Sequence, residues 1–229
     1  MYRSLDAEKI AETVSRLRDR IQARFPESSL NSMAAELLEV ARESHARSEW
    51  VARPIWWLRI GITVLILVML ATLVASIHQI QLPAGVHDLV SLLQAMESGI
   101  NDVVLIGAGI YFLMGLESRF KRKVVLKAIH ELRSLAHIVD THQLTKDPEQ
   151  LLRGGETTQV SPRRAMTPFE LARYLDYCTE MLSLIGKLAA LHVQHFTDAD
   201  TMNAVDDIED LTIGLSRKIW QKIALIGRN

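Results

Sequence analysis

The chain has 229 residues, of which 48% are hydrophobic and 23% charged, and its formal net charge is −1 at pH 7. This balanced charge excludes the strongly basic surface that nucleic-acid binding requires, so no nucleic-acid partner is predicted. The single cysteine, Cys178, excludes an internal disulfide and is typical of a reducing compartment.

Residues 1–53 precede the first long apolar run and are predicted to form cytoplasmic helices. Apolar residues recur there at helical spacing, which predicts an amphipathic helix that Pro26 ends. A second helix is predicted to begin near Ser28 or Asn31, since either residue is a suitable N-cap. The apolar positions of the first helix are Ile10, Val14, Leu17 and Ile21.

The run 60–77, IGITVLILVMLATLVASI, contains no charged residue. At about 1.5 Å per residue, a helix of this length could cross a hydrocarbon layer of about 30 Å. We therefore predict a first transmembrane helix within 54–79. The run begins after a charged segment rather than at the N-terminus, so we expect a retained anchor rather than a cleaved signal peptide.

A second transmembrane helix is predicted at 99–117, after a short external connection at 80–98. Its apolar part is shorter than that of the first span, and a spanning length includes Asn101 and Asp102. The alternative is a buried or re-entrant helix. Glycines at 107, 109 and 115 would allow close helix packing.

The flanking charges predict the orientation of the two spans. No Lys or Arg occurs from 78 to 101, whereas basic residues precede the first span and follow the second. The positive-inside rule then places both termini in the cytoplasm of a cell whose membrane the chain crosses twice. Basic and indole side chains at the cytoplasmic ends are predicted to contact anionic lipid headgroups. These lipid-interface residues are Trp56, Trp57, Arg59, Arg119, Lys121, Arg122 and Lys123.

Three further segments are predicted after the second span. A juxtamembrane helix occupies 118–145, and a stretch rich in Gly, Pro and Thr at 146–166 is typical of a mobile loop. A helical hairpin is predicted at 167–229. Its first helix begins with Thr167 as N-cap and Glu170 at the position that completes a capping box.

A polar stripe on the juxtamembrane helix is the most site-like pattern in the cytoplasmic part. His130, His137 and Asp140 lie at helical spacing on one face and are weak candidates for metal ligands. Arg133 lies between the two histidines, and a guanidinium beside a cation is unfavourable. We therefore favour a polar face and predict no metal.

Asp102 and Asn101 are the candidate residues within the membrane. An ionisable group in a membrane helix indicates ion passage or proton relay by default. Its shallow depth favours a water-exposed carboxylate instead. Asn101 could form a hydrogen bond across an oligomer interface.

The predicted fold is an all-α membrane protein: a two-transmembrane-helix hairpin with a cytoplasmic helical bundle formed by the N- and C-terminal helices. No phosphate-binding, dinucleotide-binding, nucleophile-elbow or paired-cysteine motif is found, so we predict no catalytic residue and no cofactor. We expect a non-enzymatic inner-membrane scaffold or partner-binding protein that forms a homo-oligomer and binds a cytoplasmic protein. The alternatives are a homo-oligomeric channel gated by the cytoplasmic helices and a metal-binding membrane protein.

Overall fold

The computed structural model describes residues 4–79, 89–144, 146 and 166–227, and the side chains of 76–79, 89–96, 98 and 102 lie outside that description. Within these residues the chain is all-helical and contains no strand, which confirms the predicted class. Residues 80–88 of the predicted external connection lie outside the described residues, whereas 89–98 belong to a described helix rather than to a connection. Of the predicted loop at 146–166, only residues 146 and 166 are described. The described helices are α1 (Ala7–Arg24), α2 (Ser29–Ala52), α3 (Trp56–Gln79), α4 (Leu89–Met114), α5 (Leu116–Leu144), α6 (Pro168–Val193) and α7 (Ala199–Ile226).

Polar side chains cap the helices where the sequence changes from loop to apolar periodicity. Asp6 accepts hydrogen bonds from the backbone N–H groups of Glu8 and Lys9 at the start of α1. Thr167 and Glu170 form the predicted capping box at the start of α6, which confirms that prediction. Each such cap satisfies amide groups that a helix leaves unpaired, and is worth about 1 kcal/mol.

The chain divides into two compact units. The bundle unit comprises Met1–Ala52 and Arg122–Asn229, and the apolar unit comprises Arg53–Lys121. In the bundle unit α1 contacts α2, α6 contacts both of them, and α7 contacts α6. In the apolar unit α3 contacts α4.

The bundle unit has its own hydrophobic core. Leu17, Leu37, Leu132 and Leu182 are each no more than 1% exposed, and they come from α1, α2, α5 and α6. Burial of a side chain of this size contributes roughly 1.5–3 kcal/mol, so a core built from several helices supports a stable bundle. The helical bundle is thus confirmed.

The apolar unit has the opposite character. The helical stretches Ser29–Ala75 and Gly99–Leu144 each contain an 18-residue window that is long and apolar enough to cross a membrane, and none of either window is buried. Val64, Leu67 and Leu105, for example, are 54%, 60% and 70% exposed. Two helices of this kind are confirmed, while membrane insertion and the transmembrane hairpin remain predictions.

Candidate functional site

A charged cluster lies where α3 begins and α5 begins. Arg59 donates from Nε to Oε2 of Glu117 at 2.7 Å and from Nη2 to Oε1 at 3.3 Å. Lys121, one turn beyond Glu117 on α5, places its Nζ 2.9 Å from Oε1. The backbone N–H of Ile55 donates to the same oxygen at 3.4 Å. One carboxylate therefore joins two helices by charge-assisted hydrogen bonds, which are stronger than neutral ones.

Aromatic side chains beside this cluster are left uncovered. Trp56 and Trp57, on the first turn of α3, are 67% and 74% exposed. The Arg119 guanidinium lies 4.6 Å from the centroid of the Phe112 ring, a cation–π distance. Exposed indoles next to arginines at the end of an apolar helix are typical of the zone between hydrocarbon and water.

The basic residues after α4 differ in their partners. Lys121 contacts Glu117, whereas Arg122 contacts Asp198 at 2.5 Å and Asp200 at 2.7 Å. Lys123 is exposed and forms no ion pair within the described part of the chain. From the sequence, all the basic residues of this run were predicted to contact lipid headgroups. In the structure, two of them, Lys121 and Arg122, form ion pairs with carboxylates of the protein. Arg119 and Lys123 form no ion pair among the described residues.

The close packing predicted for small residues is seen at one glycine. A Cβ atom added at Gly109 of α4 would lie 2.8 Å from the Met69 Cε of α3. A Cβ added at Gly107 would meet nothing within 4 Å. Only Gly109 of these two therefore has a packing role against α3. Gly107 faces open space.

The structure describes the side chain of only one of the two candidate residues in the second predicted span, Asn101 and Asp102. Both Asn101 and Asp102 belong to α4, and Asn101 is exposed. The side chain of Asp102 lies outside the described residues, so its predicted role in ion passage stays a prediction.

The polar stripe on α5 does not form a metal centre in the described residues. His130 and His137 are exposed, and Asp140 accepts a hydrogen bond from Gln143 Nε2 at 2.7 Å. Arg133 between them forms an ion pair with Asp207 at 3.0 Å. No group of three or more His, Cys, Asp or Glu side chains among the residues with described placement could hold a metal ion. The stripe is a polar face that partly contacts α7.

A buried polar cluster in the bundle was missed by sequence reasoning. His192 near the end of α6 is 2% exposed, and its Nε2 lies 3.2 Å from Ser44 Oγ. Burial and, to a smaller extent, the nearby Arg47 lower the pKa of His192 to about 4, and Glu131 partly opposes this shift. Arg47 itself pairs with Glu131 at 2.5 Å. Two serines one turn apart, Ser44 and Ser48, on the apolar face of α2 were the available signal.

Burial raises the pKa of two ionisable side chains in the core of the bundle, Cys178 and Tyr174. Cys178 is fully buried, and burial raises the pKa of its thiol to about 12. Burial also raises the pKa of Tyr174 to about 12. Both groups are therefore protonated at neutral pH, which makes Cys178 a core residue rather than a thiolate nucleophile.

Comparisons with protein-family models, with curated proteins and with solved structures find no match.

Proposed function

We propose that the protein is a non-enzymatic membrane protein in which α3 and α4 cross the inner membrane and the helical bundle binds protein partners, including further copies of the chain. Both termini are cytoplasmic in this proposal, and the connection at 80–98 is external. The bundle then works as a scaffold held at the membrane surface.

The observation that carries the proposal is the exposure of the apolar windows in α3 and α4. None of either window is buried, although the bundle unit buries its own apolar residues in a core. Soluble monomers rarely expose contiguous apolar patches larger than a few hundred Å². Insertion into hydrocarbon removes the cost of exposing these apolar side chains to water, and it needs no protein partner. A helix also pairs its own backbone N–H and C=O groups, as the interior of a bilayer requires.

The charged cluster supports an arrangement in which the start of α3 and the end of α4 lie on the same side of the membrane. Arg59 at the start of α3 and Glu117 just after α4 are bonded to each other, so these two ends lie on one side. The exposed Trp56 and Trp57 are at that side as well. The positive-inside rule makes this side the cytoplasmic one, because the basic residues flank it.

A membrane-extraction experiment tests the anchor. We expect the full chain to stay in the membrane fraction after alkaline carbonate washing. A variant with Leu67→Arg in α3 and Leu105→Arg in α4, at positions 60% and 70% exposed, should be released, because each span then carries an arginine that costs about 3 kcal/mol at a helix centre. A matched variant with Leu144→Arg and Leu225→Arg, 62% and 43% exposed, lies in the bundle and should stay bound. Release of the unmodified chain by carbonate would overturn the proposal.

A further inference from the structure

One face of α7 combines exposed apolar side chains with charged side chains that form no ion pair among the described residues. Ile213 and Trp220 are 56% and 57% exposed, although the helix buries Ile208, Leu215 and Ile219 on its other side. Seven residues separate Ile213 from Trp220, which places both on one stripe of the helix. This stripe is uncovered in the described structure. Ile213 and Trp220 line an open groove whose other side is formed by α6 residues, including Asp176 and Glu180.

The charges on the same face are segregated by sign. Acidic residues precede Ile213 and basic residues follow it, with no charged residue between 211 and 216. Glu209 and Arg217, each four residues from Ile213, are exposed and form no ion pair among the residues that the structure describes. Because no acid lies three or four residues from Arg217, the helix cannot pair it internally.

We propose that α7 binds α7 of a second copy in an antiparallel arrangement centred on Ile213. This inference rests on the proposed function, because it names a second copy as one partner of the bundle. A twofold axis through Ile213 makes the surface self-complementary, as an isologous dimer requires.

The register follows from the helix rise. Glu209 and Arg217 each lie about 6 Å from Ile213 along the axis, so an antiparallel partner places the two opposite signs side by side. Two symmetric ion pairs result, between Glu209 and the partner's Arg217 and between Arg217 and the partner's Glu209. The two Ile213 side chains meet between them and exclude water from the centre.

The outer part of the face agrees with the same register. Trp220 lies seven residues after Ile213, and Asp206 lies seven residues before it. In the antiparallel pair each indole therefore faces the partner's Asp206, and an indole N–H can donate to a carboxylate. A parallel pair would instead place acid beside acid and base beside base, which is unfavourable.

The helix macrodipole accounts for only part of this pattern. Acids near the start and bases near the end of a helix are favourable for the dipole alone, by about 0.3–1 kcal/mol each. The dipole does not explain why Ile213 and Trp220 are exposed between and beside these charges. Anchoring both copies in one membrane would raise their effective concentration, so a modest helix contact could suffice.

Cysteine cross-linking of the full chain in native membranes tests the register. The native Cys178 is fully buried, so a short bis-maleimide reagent should give little background. In the antiparallel pair two Ile213→Cys positions meet, whereas two Trp220→Cys positions lie about 20 Å apart along the axis. We expect at least tenfold more cross-linked dimer for I213C than for W220C. Equal cross-linking of I213C and W220C would indicate a parallel pair. Absence of cross-linking for I213C would show that the two Ile213 positions do not meet. Either result overturns the inference.

A charge exchange provides the second test on the detergent-solubilised chain. Arg217→Glu should weaken self-association at least tenfold, and adding Glu209→Arg should restore it, because the exchanged charges again face opposite signs. Lys218→Glu is the matched control, since the residue is exposed and about 100° around the helix from Arg217. Failure of the double variant to restore association, or an equal loss in the control, contradicts the proposed pairing.

The two proposals fail separately. If the chain resists carbonate but I213C does not cross-link, the membrane anchor stands and the α7 pairing is wrong. If carbonate releases the chain, the anchor is wrong whatever the cross-linking shows.

Discussion

Arg59 and Glu117 connect the beginning of one apolar helix to the residue that follows the other, through two hydrogen bonds of 2.7 and 3.3 Å. The Glu117 side chain is 16% exposed, whereas that of Arg59 is 53% exposed. The carboxylate is thus the more buried partner, and the guanidinium reaches it from the exposed side. This ion pair connects α3 to the residues that follow α4 at one end of the apolar unit.

Removal of the Glu117 charge should loosen that end. We expect Glu117→Gln to lower the free energy of unfolding by about 1–2 kcal/mol, because it leaves Arg59 and Lys121 without their shared carboxylate. Denaturant titration of the purified chain in detergent measures the change. Glu97→Gln, an exposed carboxylate on α4, is the control and should cost close to nothing. Equal costs for the two variants would show that the cluster has no stabilising role.

The contact between α4 and α3 at Gly109 should tolerate only a small side chain. Gly109→Ala displaces the end of the flexible Met69 side chain and should be mild, whereas Gly109→Leu should cost about 1–3 kcal/mol through overpacking. Gly107→Leu carries the same change in helix propensity but meets open space. The difference between the two leucine variants in thermal unfolding isolates the contact. No difference would mean that the helices do not pack at Gly109.

Acidification should destabilise the bundle through His192. The folded state keeps this imidazole neutral down to a pKa of about 4, whereas the unfolded chain binds the proton near 6.5. The contribution of the neutral His192 to the free energy of unfolding is therefore fully present above about pH 6.5. It is lost as the pH falls towards 4, which lowers the free energy of unfolding by roughly 3 kcal/mol. His192→Gln should flatten this part of the stability profile when unfolding is measured at several pH values. His130→Gln, on the exposed face of α5, should leave the wild-type slope; an unchanged slope in H192Q refutes the assignment.

Arg122 and Lys123 should behave differently despite their adjacency. Arg122→Gln removes ion pairs to Asp198, the N-cap of α7, and to Asp200, and should cost about 1–2 kcal/mol of stability. Lys123→Gln should leave stability unchanged but reduce binding to anionic vesicles by about 1 kcal/mol. Thermal unfolding and vesicle binding measure the two effects. A stability loss in K123Q as large as that in R122Q would contradict the division of the basic run.

The helices and the apolar runs were predictable because local chemistry determines them. The start of α6 follows from Thr167 and Glu170, whose capping box satisfies amide groups without any tertiary contact. The apolar character of 60–77 needs no partner to be recognised. The periodicity of Ile10, Val14, Leu17 and Ile21 correctly identified the buried face of α1.

The pairing of charges was not predictable because it depends on how distant helices meet. Arg59 and Glu117 are 58 residues apart, and Arg122 and Asp198 are 76 apart. The sequence shows a run of basic residues at this place, whereas the described structure pairs Lys121 and Arg122 with carboxylates but pairs Lys123 with none of the described carboxylates. The polar contacts of His192 were unpredictable for the same reason, because Ser44 and Arg47 reach it from another helix.

Cysteine accessibility in intact and permeabilised cells tests the central claim, that the two apolar helices cross a membrane with both termini in the cytoplasm. Single cysteines are introduced at Glu97, which lies within the predicted external connection at 80–98, and at Lys187, exposed on α6, while the buried Cys178 gives the background. We predict that a membrane-impermeant maleimide labels E97C in intact cells and labels K187C only after permeabilisation. Labelling of both positions, or of neither, before permeabilisation would contradict the two-span topology.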